Sequence, residues 1–220
     1  MELSDKTARQ LYELVKANPK RAKFGFGDKA ALINVDIQKA YTRTDLYKTA
    51  YETDPNQLQY VNEVAGLVRE KGWPVIWSYC AYVESGEDCG VWGTRTDTPD
   101  SLQNIKYDSD RAKIDDRMDV QPTDIILDKK MPSVFHDTHL NSLLTFHRVD
   151  TLLLTGGSTS GCIRAAGVDG LSHGYRTTVI EECVADKHES NHFANLTDLA
   201  LKYCDVESVE TVKKWLSGSN

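Results

Sequence analysis

Hydrophobic and polar positions alternate in blocks along this chain: short apolar runs bounded by Gly, Pro or Asp are followed by longer stretches with apolar residues every three or four positions. The short runs are Ala30 to Val35 (AALINV), Pro74 to Tyr79 (PVIWSY), Asp124 to Asp128 (DIILD), Thr151 to Thr155 (TLLLT), Tyr175 to Glu181 (YRTTVIE) and Asp205 to Val209. A strand covered on both faces is apolar nearly throughout, so these runs predict six strands of a buried parallel sheet. The longer stretches predict helices over Asn56 to Lys71, closed by Gly72, and over Thr138 to His147, Ile163 to Leu171, Asn191 to Tyr203 and Val209 to Leu216. Ahead of them, Ser4 to Val15 predicts an amphipathic helix capped by Ser4, with Leu11, Leu14 and Val15 as its apolar face, packed on the domain or on a neighbouring subunit. The segment Cys80 to Gln121 breaks the alternation. It is rich in Gly, Asp and Thr and reads as a long loop with short helices, a kind of segment that usually carries function.

Strand and helix in turn define an α/β architecture, read as one domain over residues 1–220 with an N-terminal helical extension at about residues 1–20. Right-handed crossovers place helices on both faces and bring the carboxyl ends of the strands to one edge, where open α/β sheets bind ligands.

Composition narrows the partners. A net charge of −7 with no basic stripe argues against nucleic acid. No apolar run reaches membrane-spanning length. Five cysteines, with no CxxC pair and no signal-peptide pattern, predict a reduced cytoplasmic protein rather than a disulfide framework. The six histidines show no zinc-ligand spacing.

One cysteine stands apart. In LLLTGGSTSGCIR, Cys162 is delivered from a buried strand to the start of a helix through Gly156, Gly157 and Gly161, which permit a turn too tight for ordinary side chains. A thiol in a first helical turn faces unpaired N–H groups and the positive end of the dipole, which favour thiolate. Cys183 and Cys204 lack such a turn and read as buried hydrophobes. Asp36, ending the first strand, falls at the same sheet edge and is costly there unless paired. So does Lys130, after the DIILD strand, whereas its neighbour Lys129 reads as a solvated side chain.

The motifs ALINVDIQKAY, KMPSVF, GGSTSGCIRA and DKHESNHFANLTDLALKYCDV resemble the cysteine hydrolases of the isochorismatase-like superfamily, and more narrowly its N-carbamoylsarcosine amidase and maleamate amidohydrolase branch. That resemblance implies a three-layer αβα sandwich around a six-stranded parallel sheet, and a catalytic triad of Asp36, Lys130 and Cys162. It implies an oxyanion hole from the backbone N–H groups of Ser158 and Cys162, a cis Gly157–Ser158 peptide and a homo-oligomer, dimer or tetramer. The expected substrate is a small amide or carbamoyl compound, and no cofactor is expected. Substrate contacts are expected at Thr159, Trp92, Arg95 and Lys187, the last standing where these amidases carry an arginine for the substrate carboxylate. No metal is expected: nicotinamidases of the superfamily hold an ion with an aspartate and two histidines after the second strand, and Tyr79 to Gly93 contains no histidine. True isochorismatases lack the cysteine. The remaining alternatives are a maleamate- or nicotinamide-type amidase, a redox-sensing or ligand-binding protein using Cys162 as a reactive thiol, and a non-catalytic scaffold.

Overall fold

The computed structural model describes residues 4–93 and 105–218. Its sheet has six parallel strands in the order β3-β2-β1-β4-β5-β6, with β1 Ala30–Val35, β2 Val75–Cys80, β3 Ile125–Lys129, β4 Thr151–Gly157, β5 Arg176–Ala185 and β6 Asp205–Glu207. The chain lays β1, β2 and β3 toward one edge, then returns to the other side of β1 for β4, β5 and β6. The order therefore reverses between β1 and β4, and a crevice opens there beyond the carboxyl ends of the two strands.

Helices cover both faces, giving the expected three layers. On one face, α3 (Gln57–Glu70) and α8 (Val209–Ser217) pack Val61, Val64, Val68, Val212 and Leu216 against Leu32, Trp77 and Leu153 of the sheet. On the other, α5 (Leu140–His147), α6 (Arg164–Ser172) and α7 (Glu189–Asp198) cover Ile33, Val35, Leu152 and Leu154. Alternate residues of β1 thus enter different cores, which is why its sequence is apolar without a period of two. Cys183 is buried in the first core and Cys204 in the second.

The N-terminal helix α1 begins later than its sequence suggests, at Ala8–Ala17. Thr7, not Ser4, is its cap: Thr7 Oγ1 accepts from the Gln10 N–H, and Gln10 Oε1 accepts from the Thr7 N–H. Its buried stripe is Ala8 and Tyr12, four residues apart, while Leu11 and Leu14 are exposed. Tyr12 packs on Phe193 of α7, Arg9 lies 4.5 Å over the same ring, and Lys16 pairs with Glu181. The helix is thereby docked on its own chain.

Four strands, β2 to β5, end later than their patterns predict, and two of these extensions build the site. β3 continues through Lys129 and β4 through Gly157. A single helical turn, α2 (Lys39–Thr42), follows β1; within 80–121, the described residues form a short helical turn, α4 (Gly90–Gly93), and two brief 3-10 turns, and Gln38 bridges to Ile114 and Tyr82 to Lys106.

Candidate active site

The site is assembled from the ends of four strands. β1 ends at Val35, and Asp36 takes a left-handed conformation, φ +52°, which Asp tolerates better than most residues. Its carboxylate is buried. Oδ1 accepts from Ser78 Oγ at 2.8 Å, and Oδ2 lies 2.7 Å from Lys129 Nζ. Lys129 is the last residue of β3, paired in register with Cys80, the last of β2. Cross-strand partners place their side chains together on one face, so Lys129 and Cys80 both point toward Asp36.

Lys129, not Lys130, therefore completes the constellation. Along β3, Leu127 and Lys129 face inward, while Ile126 is exposed and Asp128 half-buried. Lys130 falls on the outward side, where its ammonium meets Asp128 at 3.0 Å, the Ala81 carbonyl and the Tyr107 hydroxyl. Lys129 is fully buried, and its Nζ lies within hydrogen-bond reach of Asp36 Oδ2, of Cys80 Sγ at 3.1 Å, of the Met131 carbonyl at 3.1 Å and of Cys162 Sγ at 3.5 Å. Burial alone would lower its pKa, but the charge of Asp36 and the hydrogen bond to it reverse this and hold it well above the ordinary lysine value. It is an ammonium at any pH of interest.

Cys162 arrives from the other side of the crevice. Gly156, with φ +106°, lies so close to β1 that a Cβ there would strike the Val35 carbonyl oxygen, and a Cβ on Gly157 would strike the Tyr51 hydroxyl. The Gly157–Ser158 peptide is cis, as the resemblance implies. Residues Thr159–Ile163 then form one π-helical turn ahead of α6, with Cys162 inside it. Asp186 anchors this turn: its Oδ2 accepts the Ser160 N–H at 2.7 Å, and its own N–H donates to Thr53 Oγ1.

The electrostatics differ from those of a free thiol at a helix start. Packing around Cys162 raises its pKa, the Lys129 charge opposes that rise, and the Asp36 carboxylate, hydrogen-bonded to the thiol, adds to it. The net direction is upward. The resting sulfur is a neutral thiol beside a carboxylate placed to take its proton, rather than a preformed thiolate.

A cavity of about 160 Å³ opens over the sulfur, lined by Tyr41, Tyr51, Trp92, Pro132, Ser158 and Cys162 among others. Of the expected substrate contacts, Trp92 lines this cavity, as does Ser158, the expected oxyanion donor. Thr159 does not: it is buried beneath the turn, with Oγ1 2.9 Å from His192 Nδ1. Nor does Lys187, whose ammonium is bound to the Lys48 and Ala50 carbonyls; among the described residues lining the cavity there is no lysine or arginine. Arg95 lies outside the described residues. The sequence pattern does not single out Cys80, Tyr41 or Tyr51 as site residues, and it gives Asp186 no role beyond its place in the DKHESN motif. Cys80 carries a signal in its position directly after a predicted buried strand, whereas the tyrosines sit on connections whose direction no pattern fixes. Among the described residues, no group of three His, Cys, Asp or Glu side chains is arranged to hold a metal ion.

An acid, an ammonium and a thiol are thus gathered at the switch point of an open parallel sheet. Residues 30–211 match the isochorismatase domain, and the chain belongs to that family. It is 36% identical over 188 residues to the maleamate amidohydrolase of Pseudomonas putida, covering 84% of this chain and 85% of that one. It is 31% identical over 203 residues to the N-carbamoylsarcosine amidase of an Arthrobacter species, covering 89% of this chain and 74% of that one. A cysteine hydrolase from Pseudomonas syringae pv. phaseolicola shares the fold with a TM-score of 0.83 at 19% identity, over 92% of this chain and 100% of the other.

Proposed function

We propose that the protein is a cysteine-dependent amidohydrolase that cleaves the C–N bond of a small amide or N-carbamoyl compound through an acyl-enzyme and releases ammonia. The observation that carries this reading is the shared ammonium: Lys129 Nζ is 2.7 Å from Asp36 Oδ2 and 3.5 Å from Cys162 Sγ, so base and nucleophile are held by one buried charge. Relatives named as a maleamate amidohydrolase and an N-carbamoylsarcosine amidase support the amide chemistry.

In this mechanism Asp36 accepts the thiol proton as Cys162 attacks the carbonyl carbon, and Lys129 stabilises the sulfur as it becomes anionic. The carbonyl oxygen gains charge and is met by the backbone N–H groups of Ser158 and Cys162; a donor so placed is typically worth about 3 kcal/mol of barrier. Asp36 returns its proton to the leaving nitrogen, ammonia departs, and a water deprotonated by Asp36 hydrolyses the thioester. The cavity of about 160 Å³ is smaller than the roughly 300–1,000 Å³ of drug-sized sites, which suits a substrate of few heavy atoms. A sensor thiol is acidic and accessible, and the raised pKa of Cys162 argues against that use.

The test is an ammonia-release screen across N-carbamoyl amino acids, maleamate, nicotinamide and simple aliphatic amides, with Cys162→Ala as control. Ammonia from at least one compound, lost in the variant, is expected. Equal ammonia release by the variant would overturn the nucleophile.

A further inference from the structure

Cys80 is a second thiol inside the site, and the mechanism above does not use it. Its register pairing with Lys129 fixes the side chains next to each other. Its backbone is clamped from both sides by one buried amide: Gln38 Nε2 donates to the Cys80 carbonyl at 2.8 Å, and Gln38 Oε1 accepts the Cys80 N–H at 2.9 Å. The sulfur accepts from Lys129 Nζ at 3.1 Å and donates to Asp36 Oδ2 at 3.8 Å.

An ammonium carries three protons. Around Lys129 Nζ stand four acceptors: Asp36 Oδ2 at 2.7 Å, the Met131 carbonyl and Cys80 Sγ at 3.1 Å each, and Cys162 Sγ at 3.5 Å. One acceptor is always short of a proton, and the geometry leaves Cys162 the worst placed. We propose that Cys80 is a positioning residue that occupies the third proton of Lys129 while Cys162 is a neutral thiol and yields it when Cys162 becomes a thiolate. The proposal rests on the reading of Cys162 as the nucleophile.

The exchange follows from charge. Between two neutral sulfurs the nearer one, Cys80, holds the proton; an anionic sulfur binds it roughly twice as strongly as a neutral one and draws it across. Cys80 itself stays neutral, because burial first and the Asp36 charge second push its thiol up to about 12. The other ionisable groups facing Cys162 are Asp36, Lys129, Tyr41 and Tyr51, and the two phenols are held neutral chiefly by burial. The consequence is a nucleophile kept unreactive at rest and activated only in concert with proton transfer to Asp36.

The experiment measures alkylation of Cys162 by iodoacetamide as a function of pH, read by mass spectrometry of the peptide bearing Cys162, in the wild type and in Cys80→Val, Cys80→Ala and Cys80→Ser. Valine keeps the volume and excludes water but accepts no hydrogen bond, so the third proton passes to Cys162. The rate at pH 8 should rise about fivefold, with the whole profile moved to lower pH, because the Cys162 thiolate no longer has to displace a neutral hydrogen bond held by Cys80. Serine keeps an acceptor and should follow the wild-type profile. A valine profile superimposed on the wild type would overturn the proposal, as would a serine profile displaced as far as valine's. Alanine supplies the apolar arm should the valine variant fail to fold. No substrate is involved, so failure here is distinct from failure to release ammonia.

Discussion

Replacing Lys129 with methionine, beside the same change at Lys130, tests which of two adjacent ammonium groups belongs to the site. Methionine keeps most of the stem volume and removes the charge. At position 129 both partners of the ion pair are buried, with side-chain exposures of 0% for Lys129 and 2% for Asp36, so the variant strands a carboxylate in the interior. Breaking one side of a buried pair costs about 3–5 kcal/mol. For a chain of this size each kcal/mol is worth about 2–4 °C, so the melting temperature at pH 7 should fall by about 10 °C. Loss of the charge that stabilises the thiolate should reduce ammonia release at least about a thousandfold. Lys130 contacts Asp128 and Asp88 near solvent, where an ion pair contributes about 1 kcal/mol or less, so Lys130→Met should shift melting by no more than about 4 °C and keep most of the rate. Thermal unfolding and initial rates on the same preparations decide it. If Lys130→Met abolished turnover while Lys129→Met kept more than about a tenth of it, the placement of the buried ammonium in the mechanism would be refuted.

Cys162→Ala should abolish ammonia release, while Cys183→Ala and Cys204→Ala, deep in the two cores, should cost about 1 kcal/mol of stability each and little rate; calorimetry beside the assay separates these. Gly157→Ala puts a Cβ into the Tyr51 hydroxyl and should lower kcat, with Tyr51→Phe in the same chain restoring part of it; no recovery would mean the backbone rather than the clash is at fault. Lys187→Ala should leave the ratio of KM for acidic and neutral substrates unchanged, since its ammonium is bound to the Lys48 and Ala50 carbonyls; a selective rise for acids would place it in the substrate's path. Burial alone would raise the pKa of Asp115, but Arg117 and Thr42 pull it down to about 2 from an ordinary 3.8. Such a depressed carboxyl stabilises the fold fully above its unfolded value and loses that contribution as pH falls toward 2. Asp115→Asn should therefore melt lower than the wild type at pH 7, with the gap closing between about pH 4 and pH 2.

The strands were legible because burial on both faces leaves no room for polar residues, and the runs around Leu32, Ile76 and Leu153 say so directly. Asp36 and Cys162 were legible for the complementary reason, a carboxylate and a glycine-flanked thiol being costly or unusual at strand ends. Lys129 is not legible from the DIILD run because the strand continues one residue past it. Inward-facing Leu127 sets a period of two that puts position 129 inside and 130 outside, a signal present in the sequence but weak on an edge strand with one exposed isoleucine. The helix start at Thr7 is likewise written in the Thr7 to Gln10 capping pair, three residues beyond Ser4. Thr159 and Lys187 depend on where side chains point within a π-helical turn and beyond a strand end, which no periodicity encodes.

Bond cleavage and molecular recognition are carried by different parts of this chain. The reacting groups stand on the rigid ends of β1, β3 and β4, whereas the walls over them, Tyr41, Tyr51 and Trp92, sit on the connections that follow β1 and β2. Because Gly156 and Gly157 lie hard against Val35 and Tyr51, the inner wall has no freedom to accept larger residues. Mutation can widen or narrow the chamber only from its outer, aromatic side. A lineage with this layout can exchange one amide for another through a few replacements in surface connections, leaving the reaction apparatus untouched, so the diet of such an enzyme is far easier to change than its chemistry.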